Sequence, residues 1–459
     1  MRGNNGTIGP KQNTSSSVST GIFNSIDQQI NKGTGLWALS DNAPYSVFFD
    51  GTGDFLTVSG TDQLSLNADF TVACWIYLTS APADYQMIIS NVSVANNAYI
   101  AIRASYIEVL GMSSVLQVSK NVLVENKWFY LAVTRSGSTV TVWLNGKSIG
   151  SGTRTGTFAL GSSTFNTYIG RWGGGATQYN FPGYIANLMV IKGTSIYNST
   201  FAVPSTKPST SVSGTSLIAC SGATFADGSN NNLTISANGQ TAVSSSIAPL
   251  IPASIKYNGT NQYQNVPAGW QTSDPNRLPG NFTIELFVRF HSVSITQYIF
   301  TYNGGNDPNL RSNGAGSFLW GGFAGLNLSA GSSFQIDTWY HLALTRSGTT
   351  VRSFKDGVLV ASGTSSSVVE NPNSTGINIA SLSNLVGFGF AGYISNFRII
   401  KGECLYTSDF TRPSATLPNT ANTSTLINQY HATEVDFSVN ALSVTQSPGM
   451  TKSITIVPF

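Results

Sequence analysis

Two stretches of the chain alternate apolar side chains with other residues at a period of two. The alternating set is apolar throughout in FTVACWIYL (70–78) and in FTIELFVRF (282–290): Phe70, Val72, Cys74, Ile76 and Leu78 in the first, and Phe282, Ile284, Leu286, Val288 and Phe290 in the second. A period of two is that of a β-strand. The opposite face of the first stretch is only partly polar, which predicts a central strand covered on both sides.

A longer pattern also occurs twice. KWFYLAVTRSGSTVTVWLNG (127–146) and TWYHLALTRSGTTVRSFKDG (338–357) share a Trp, an apolar strand, Thr-Arg-Ser-Gly, a second strand and an Asx-Gly pair. Asx-Gly is the strongest short hairpin signal, because both turn residues need positive φ. Internal repetition of this length predicts two copies of one β-domain. We place copy one at 44–248 and copy two at 253–459, with Pro249 and Pro252 flanking a short junction.

Residues 1–43 differ from the two copies. They are rich in Gly, Asn, Ser and Thr and have few apolar residues, so they cannot build a core of their own. The apolar islands include Ile8, Phe23, Ile26 and Trp37. A pure linker would not need these side chains, so we predict an irregular N-terminal arm that docks on a particle or partner protein through them.

Further repeated motifs are FDGTGDFLTV (49–58) with YNGTNQYQNV (257–266), and GYIANLMVIKG (183–193) with GYISNFRIIKG (392–402). In this order the motifs resemble the concanavalin A-like, laminin-G-like jelly-roll superfamily. The resemblance implies an all-β fold of two tandem jelly-roll β-sandwiches, preceded in the chain by the irregular N-terminal arm. It does not imply one activity, since the fold hosts lectins, glycosidases, adhesion modules and virion proteins.

The arm carries a second resemblance. GTIGPKQNTSSSVSTGIFNSIDQQ (6–29) followed by GLWAL (35–39) is similar to the start of structural proteins of tailed bacteriophages, marine, cyanophage-type ones in particular. It implies a virion component that is assembled in the host cytoplasm. Its partners would be other virion proteins of the capsid or tail, contacted through the arm.

The composition of the chain argues against nucleic acids and membranes as partners. Only 9% of the 459 residues are charged and the net charge is +3, whereas roughly 25% is typical of soluble proteins. No window clusters Lys and Arg as phosphate binding requires, so we expect no nucleic-acid partner. We expect no membrane span and no export signal, because no apolar run has the required length.

Catalysis needs acid–base groups that the sequence does not bring together. A glycosidase needs two facing carboxylates, and members of the resembled superfamily that cleave β-glucans carry Glu-x-Asp-x-Glu on one strand. Glu108 stands alone, and Glu285 has no acidic residue two positions on. His341 takes the place of Tyr130 in the repeated core and is read as strand filling. We therefore predict that the protein is not an enzyme.

Calcium is the one cofactor that the resemblance allows, since many such domains hold the ion at a loop edge. The candidate ligand is Asp307 in NGGNDPN (303–309). Asp50 and Asp54 lie in the first hairpin of copy one, but Asn258 and Gln262 replace them in copy two. Asp and Asn residues also stabilise turns, so their presence in these loops has an explanation without calcium.

Glycan binding rests on aromatic rings that pack on sugar C–H faces and on polar side chains that bind the hydroxyls. The candidates in or near predicted loops are Trp172, Tyr179, Phe181, Tyr302, Asn303 and Trp320. The leading hypothesis is a non-enzymatic virion surface protein, either capsid decoration or a tail-fibre adhesin, that binds host-surface glycans. The alternatives are a secreted bacterial lectin and a glycoside hydrolase. The sequence leaves open whether the protein is a homo-oligomer, because it shows no oligomerisation motif.

Overall fold

The computed structural model describes residues 44–81, 85–91, 97–112, 114–119, 123–174, 179–268, 271–302, 308–312, 314, 316–323, 325–370, 376–382 and 388–459. The predicted docking arm, with Ile8, Phe23, Ile26 and Trp37, lies outside these residues. Within them the chain is all-β, and its one helical element is a 3-10 turn at Asp62–Leu64 capped by Thr61. No helix in the described ranges has the length and hydropathy needed to cross a bilayer.

The strands of copy one follow each other along the chain. They are β1 Ser46–Asp50, β2 Phe55–Val58, β3 Ser65–Leu66, β4 Phe70–Leu78, β5 Gln86–Asn91, β6 Tyr99–Ile102, β7 Tyr106–Leu110, β8 Leu116–Ser119, β9 Trp128–Ser136, β10 Thr139–Leu144, β11 Lys147–Thr153, β12 Phe158–Ala159, β13 Thr167–Ile169, β14 Pro182–Lys192, β15 Thr215–Ala219, β16 Ile235–Asn238 and β17 Ala242–Ser244.

The strands of copy two repeat most of this series. They are β18 Ser254–Asn258, β19 Gln264–Val266, β20 Phe282–Phe290, β21 Tyr298–Thr301, β22 Asn309–Ser312, β23 Phe318–Phe323, β24 Leu326–Gly331, β25 Trp339–Ser347, β26 Thr350–Lys355, β27 Val358–Thr364, β28 Ile377–Ile379, β29 Ala391–Lys401, β30 Thr423–Ile427, β31 Thr445–Gln446 and β32 Thr451–Ser453.

Each copy is a sandwich of two antiparallel sheets. In copy one, sheet A has the order β11-β10-β9-β4-β14-β1-β17 with β15 also on β14, and sheet B has the order β16-β2-β13-β5-β6-β7-β8. In copy two, sheet C has the order β27-β26-β25-β20-β29-β18-β32 with β30 on β29, and sheet D has the order β24-β23-β22-β21-β28-β19-β31. Sheets A and C therefore have the same order, as duplication of one domain requires.

The predicted apolar faces fill the two cores. All five alternating residues of β4 lie in the core of copy one, and all five of β20 lie in that of copy two. The other face of β4 is also covered, because Ala73 and Trp75 belong to a separate apolar cluster. The prediction of a central strand buried on both sides is confirmed, since β4 lies between β9 and β14.

That separate cluster joins the two copies. Trp75, Tyr130 and Trp143 on the outer face of sheet A share it with Leu417 and Phe437 of copy two. The rings of Trp75 and Phe437 are 6.0 Å apart. The two copies thus pack against each other through large aromatic side chains of copy one, and the sequence pattern does not show what these side chains contact.

Candidate functional site

The outer face of sheet B carries a row of side chains that turn away from the core. In the register, Tyr168 on β13 lies opposite Ser90 on β5, and Ser90 lies opposite Tyr99 on β6. Their strand neighbours Ile100 and Ile169 point into the core. Because successive side chains alternate between faces, the row is placed on the outside of the sandwich by the same alternation that builds the core.

Four aromatic side chains form one continuous group on this face, which we call the aromatic patch: Tyr85, Tyr99, Trp172 and Tyr179. The ring centroids of Trp172 and Tyr179 are 5.6 Å apart, those of Tyr179 and Tyr85 are 5.0 Å apart, and those of Tyr85 and Tyr99 are 6.1 Å apart. Tyr85, Trp172 and Tyr179 are partly exposed. Their rings therefore offer a connected apolar surface to solvent.

A polar network borders the aromatic patch. The buried carboxylate of Glu108 accepts hydrogen bonds from Tyr99 Oη at 2.6 Å, Gln117 Nε2 at 2.7 Å and Arg103 Nη1 at 3.2 Å. The guanidinium of Arg103 also lies 3.5 Å from the ring centroid of Tyr85. Burial, and then the hydrogen bond to Glu108, raise the pKa of Tyr99, so its hydroxyl stays protonated and donates. The network fixes the orientation of hydrogen-bonding groups beside the rings.

A second cation–aromatic group continues along the same face. The guanidinium of Arg171 lies 4.2 Å from the ring centroid of Phe55, and the rings of Phe55 and Tyr168 are 6.1 Å apart. Ser90 ties this group to the aromatic patch, since its hydroxyl donates to Arg171 O at 2.8 Å and accepts from Gly173 N at 3.3 Å. These bonds hold the start of the loop that carries Trp172.

The structure sorts the predicted glycan-binding residues. It brings Trp172 and Tyr179 together on the outer face of sheet B. The prediction for Phe181, Tyr302 and Trp320 was wrong, because all three side chains are 0% exposed and cannot face a sugar. They fill the cores, as the contacts of Phe181 with Phe49 and of Trp320 with Phe300 show. Asn303 and Asp307 lie outside the described residues.

Sequence reasoning missed Tyr85, Arg103 and Glu108 as members of one site. All three stand on or next to short strands. Alternation along β7 could have shown that Glu108 points outward, because Ile107 and Val109 on either side of it point inward. Their partners come from different strands, however. Only the pairing of β6 with β7 and of β7 with β8 brings Tyr99, Glu108 and Gln117 together.

The same face of copy two has a different chemistry. Where copy one pairs Tyr168 with Thr57, copy two pairs Asn378 with Asn265. The amide of Asn265 donates to Asn378 Oδ1 at 3.1 Å. The fold is duplicated, but the aromatic character at this position is not.

Glu285 and His341, which the sequence leaves apart, meet on the outer face of sheet C. Glu285 accepts from Tyr406 Oη at 3.0 Å, lies 2.9 Å from His341 Nε2 and binds both Nε and Nη2 of Arg398. The side chains of Glu285 and His341 are fully buried, and that of Arg398 is 2% exposed. The group is an internal ion network without access for a substrate.

The first hairpin of copy one uses its carboxylates internally. Asp50 accepts hydrogen bonds from Thr52 N at 2.7 Å, Thr52 Oγ1 at 2.7 Å and Gly53 N at 3.2 Å. The hydrogen bond from the Thr52 hydroxyl is the main reason that the pKa of Asp50 is lowered. Asp54 accepts from Asp50 N and Gln240 N. These residues fit turn stabilisation and not a cation site. In the part of the chain that the structure describes, no three His, Cys, Asp or Glu side chains are grouped to hold a metal ion.

The solved structures that match this chain share little sequence with it, as three of them show. Domains LG4-5 of the mouse laminin alpha1 chain are 12% identical, with 82% of this chain and 97% of that chain covered and a TM-score of 0.29. A putative carbohydrate binding protein from Bacteroides ovatus is 12% identical, with 89% and 92% covered and a TM-score of 0.34. A heptameric SAP-like pentraxin from Limulus polyphemus is 15% identical, with 45% and 96% covered and a TM-score of 0.33. At these scores the likeness carries no argument about function.

A search of curated proteins finds no match to this sequence. A family model gives the assignment instead. It matches the chain twice, at residues 50–194 and 258–404, and so covers more than half of its length. One match lies within each sandwich and contains most of its repeated motifs. The chain belongs to the concanavalin A-like lectin/glucanases superfamily and carries two tandem laminin-G-like domains.

Proposed function

We propose that this protein is a non-enzymatic, carbohydrate-binding surface protein and that the aromatic patch of copy one is its glycan site. The observation that carries the proposal is the continuous group of Tyr85, Tyr99, Trp172 and Tyr179 next to the oriented Glu108 network. Sugar rings pack their C–H faces on aromatic side chains, while fixed polar groups bind the hydroxyls. The aromatic patch supplies the first kind of contact, and the polar network beside it supplies the second.

A glycan array probed with the full chain tests the site. Any glycan bound by the wild type should lose about tenfold or more in affinity with Trp172→Ala or Tyr179→Ala, since each removes one ring of the stacking surface. Tyr263→Ala is the matched control, because Tyr263 is a partly exposed aromatic in copy two. Unchanged binding by both patch variants would reject this site, and equal losses in all three variants would show an effect on folding instead.

We further propose that the chain is a virion structural protein of a tailed phage, serving as capsid decoration or as a tail-fibre adhesin. The support is the similarity of residues 6–29 and 35–39 to the start of such proteins. In this proposal the arm 1–43 binds capsid or tail proteins, and the two sandwiches face outward to meet host-surface glycans. The protein is assembled in the host cytoplasm.

Mass spectrometry of purified particles tests this role. Peptides from 44–459 should copurify with virions at a constant ratio to the major capsid protein. A chain lacking 1–43 should fold but fail to join the particle. Its presence at wild-type level would contradict docking through the arm. Recovery of the full chain only from culture medium, free of particles, would favour a secreted bacterial lectin instead.

A further inference from the structure

The face that carries the aromatic patch also carries two arginines, and a carboxylate pairs with only one of them. Arg103 Nη1 lies 3.2 Å from Glu108 Oε2 in an ion pair. Arg171 forms no ion pair with a carboxylate of the described residues, and the one hydrogen bond that its guanidinium makes there runs from Nε to Trp172 O at 3.1 Å. The charge of Arg171 is therefore open to an anion from outside the protein.

The unpaired guanidinium is held in place by its neighbours. It lies 4.2 Å from the ring centroid of Phe55 and 5.8 Å from that of Tyr168. The rings and the Nε hydrogen bond restrict its rotation, so less conformational freedom is lost when it binds a ligand. Its two terminal nitrogens have no partner in the described part of the chain, and neither is buried. They offer the fork of N–H groups that binds both oxygens of a carboxylate.

Arg171 is also next to the aromatic patch. Arg171 and Trp172 are consecutive in the chain, so their Cα atoms are about 3.8 Å apart. Both side chains contact rings of the same outer face, since Arg171 lies over Phe55 and Tyr168 while Trp172 packs on Tyr179. A sugar ring that packs on Trp172 therefore has its own substituents, or the next sugar of the chain, beside the guanidinium.

Copy two lacks both halves of this arrangement. Arg171 stands two residues after the end of β13, and Ser381 stands two residues after the end of the matching strand β28. Leu382 then takes the place of Trp172. Ser381 is only 4% exposed. The shared fold therefore does not require an arginine at this position, which favours a role in binding.

We infer that the site binds acidic glycans, with Arg171 holding the carboxylate of a uronic acid while a sugar ring packs on Trp172. This inference rests on the proposed glycan site and adds its substrate class. A neutral sugar would leave the guanidinium to water, whereas a carboxylate accepts charge-assisted hydrogen bonds from it. The buried carboxylate of Glu108 is already paired with Arg103, so it opposes the ligand's charge little.

Isothermal titration of the full chain with two matched probes tests the substrate class. The probes are trigalacturonic acid and its methyl ester, which share the same sugar rings while only the acid carries carboxylates. We expect the acid to bind about tenfold more tightly than the ester at low ionic strength, and the difference to shrink at high salt. Equal affinities, tighter binding of the ester, or no binding of either probe would overturn the acidic class.

Variants of the arginine locate the charge that matters. Arg171→Gln removes the charge and should lower the affinity for the acid about tenfold, to that of the ester. Arg171→Lys keeps the charge without the planar fork and should retain part of the preference. Lys256→Gln is the matched control, because it removes one positive charge from an exposed position of copy two, and it should keep the full preference. A preference that persists in Arg171→Gln refutes the role of Arg171.

Trp172→Ala separates this inference from the proposed glycan site. If Trp172→Ala weakens the binding of both probes while Arg171→Gln changes neither, the aromatic patch binds glycans regardless of charge, and only the acidic class is rejected. If Trp172→Ala leaves the binding of both probes unchanged, the glycan site at the aromatic patch is rejected and this inference with it.

Discussion

At the scale of single residues, the two copies answer the same packing problem in opposite ways. Where the register pairs Ala73 with Met189 in copy one, it pairs Glu285 with Arg398 in copy two. Burial opposes ionisation of Glu285, but the hydrogen bond with His341 and the charge of Arg398 outweigh it and lower the pKa of the carboxyl. Copy two therefore holds an ionised, paired network where copy one holds apolar side chains.

Glu285→Gln should lower the free energy of unfolding by about 3–5 kcal/mol, because it leaves the buried guanidinium of Arg398 without a counter-charge. Urea denaturation at neutral pH measures the change. Glu125→Gln is the control, since Glu125 is exposed, and it should change stability by less than about 0.5 kcal/mol. A loss in Glu285→Gln no larger than that of the control would contradict a paired, buried network.

A combined replacement tests whether the charges themselves stabilise copy two. Glu285→Ala, His341→Tyr and Arg398→Met install the residues of copy one, Ala73, Tyr130 and Met189. Replacing a whole buried ion network by apolar side chains is often neutral or stabilising, so the triple variant should recover most of the loss. If it is as unstable as Glu285→Gln by urea denaturation, local packing rather than unpaired charge explains the single variant.

At the scale of elements, the hairpin turns after β10 and β26 follow from local sequence. Asn145 and Gly146 have φ of 48° and 82°, and Asp356 and Gly357 have 49° and 85°. The side chain of Asn145 accepts from Tyr130 N at 2.9 Å, which ties the turn to β9, the strand next to β10. The predicted Asx-Gly turns are confirmed. Such turns can be predicted because their requirement for positive φ lies in the two turn residues themselves.

Gly146→Ala should be much more damaging than its torsion angle alone suggests. A Cβ at Gly146 would lie 2.1 Å from Phe201 O, a backbone atom that cannot move aside. Gly137→Ala is the control, because Gly137 also has positive φ, 60°, but has nothing within 4 Å of an added Cβ. We expect a loss of roughly 1 kcal/mol for the control and about 2 kcal/mol more for Gly146→Ala, measured by thermal denaturation. Equal losses would show that Phe201 does not restrict this turn.

At the scale of the whole molecule, the junction between the copies is hydrogen-bonded to the segment that follows β30 in copy two. Ala432 N donates to Pro249 O at 3.1 Å, and His431 N donates to Ile251 O at 2.8 Å. Together with the contact of Trp75 and Phe437, these bonds connect both copies near the junction. The short junction was predicted from its prolines. The aromatic contact was not, because nothing in the pattern says which outer face meets which.

His431 gives this region a pH dependence. Burial, and then the charge of Lys452, lower the pKa of His431 from 6.5 to about 4. Between these values the unfolded chain binds a proton that the folded chain excludes. Stability should therefore fall as the pH drops from 6.5 to about 4, by up to about 3 kcal/mol, and this contribution should level off below.

Urea denaturation across this pH range measures the effect, with His431→Gln as the comparison because glutamine does not titrate. The difference in unfolding free energy between wild type and variant should shift with pH in the predicted direction. A constant difference from pH 7 to pH 4 would show that His431 titrates normally in the folded protein.

The all-β class, the duplication and the core faces of β4 and β20 could be predicted from the sequence, because alternation and tight turns are local properties of the chain. Tertiary structure alone decided which side chains share a surface. Phe181, Tyr302 and Trp320 are buried in the cores. Tyr85 packs beside the predicted Trp172 and Tyr179, and Glu108 lies next to the same aromatic patch. The physical reason is that a site depends on register between strands distant in sequence, whereas a strand depends only on its neighbours.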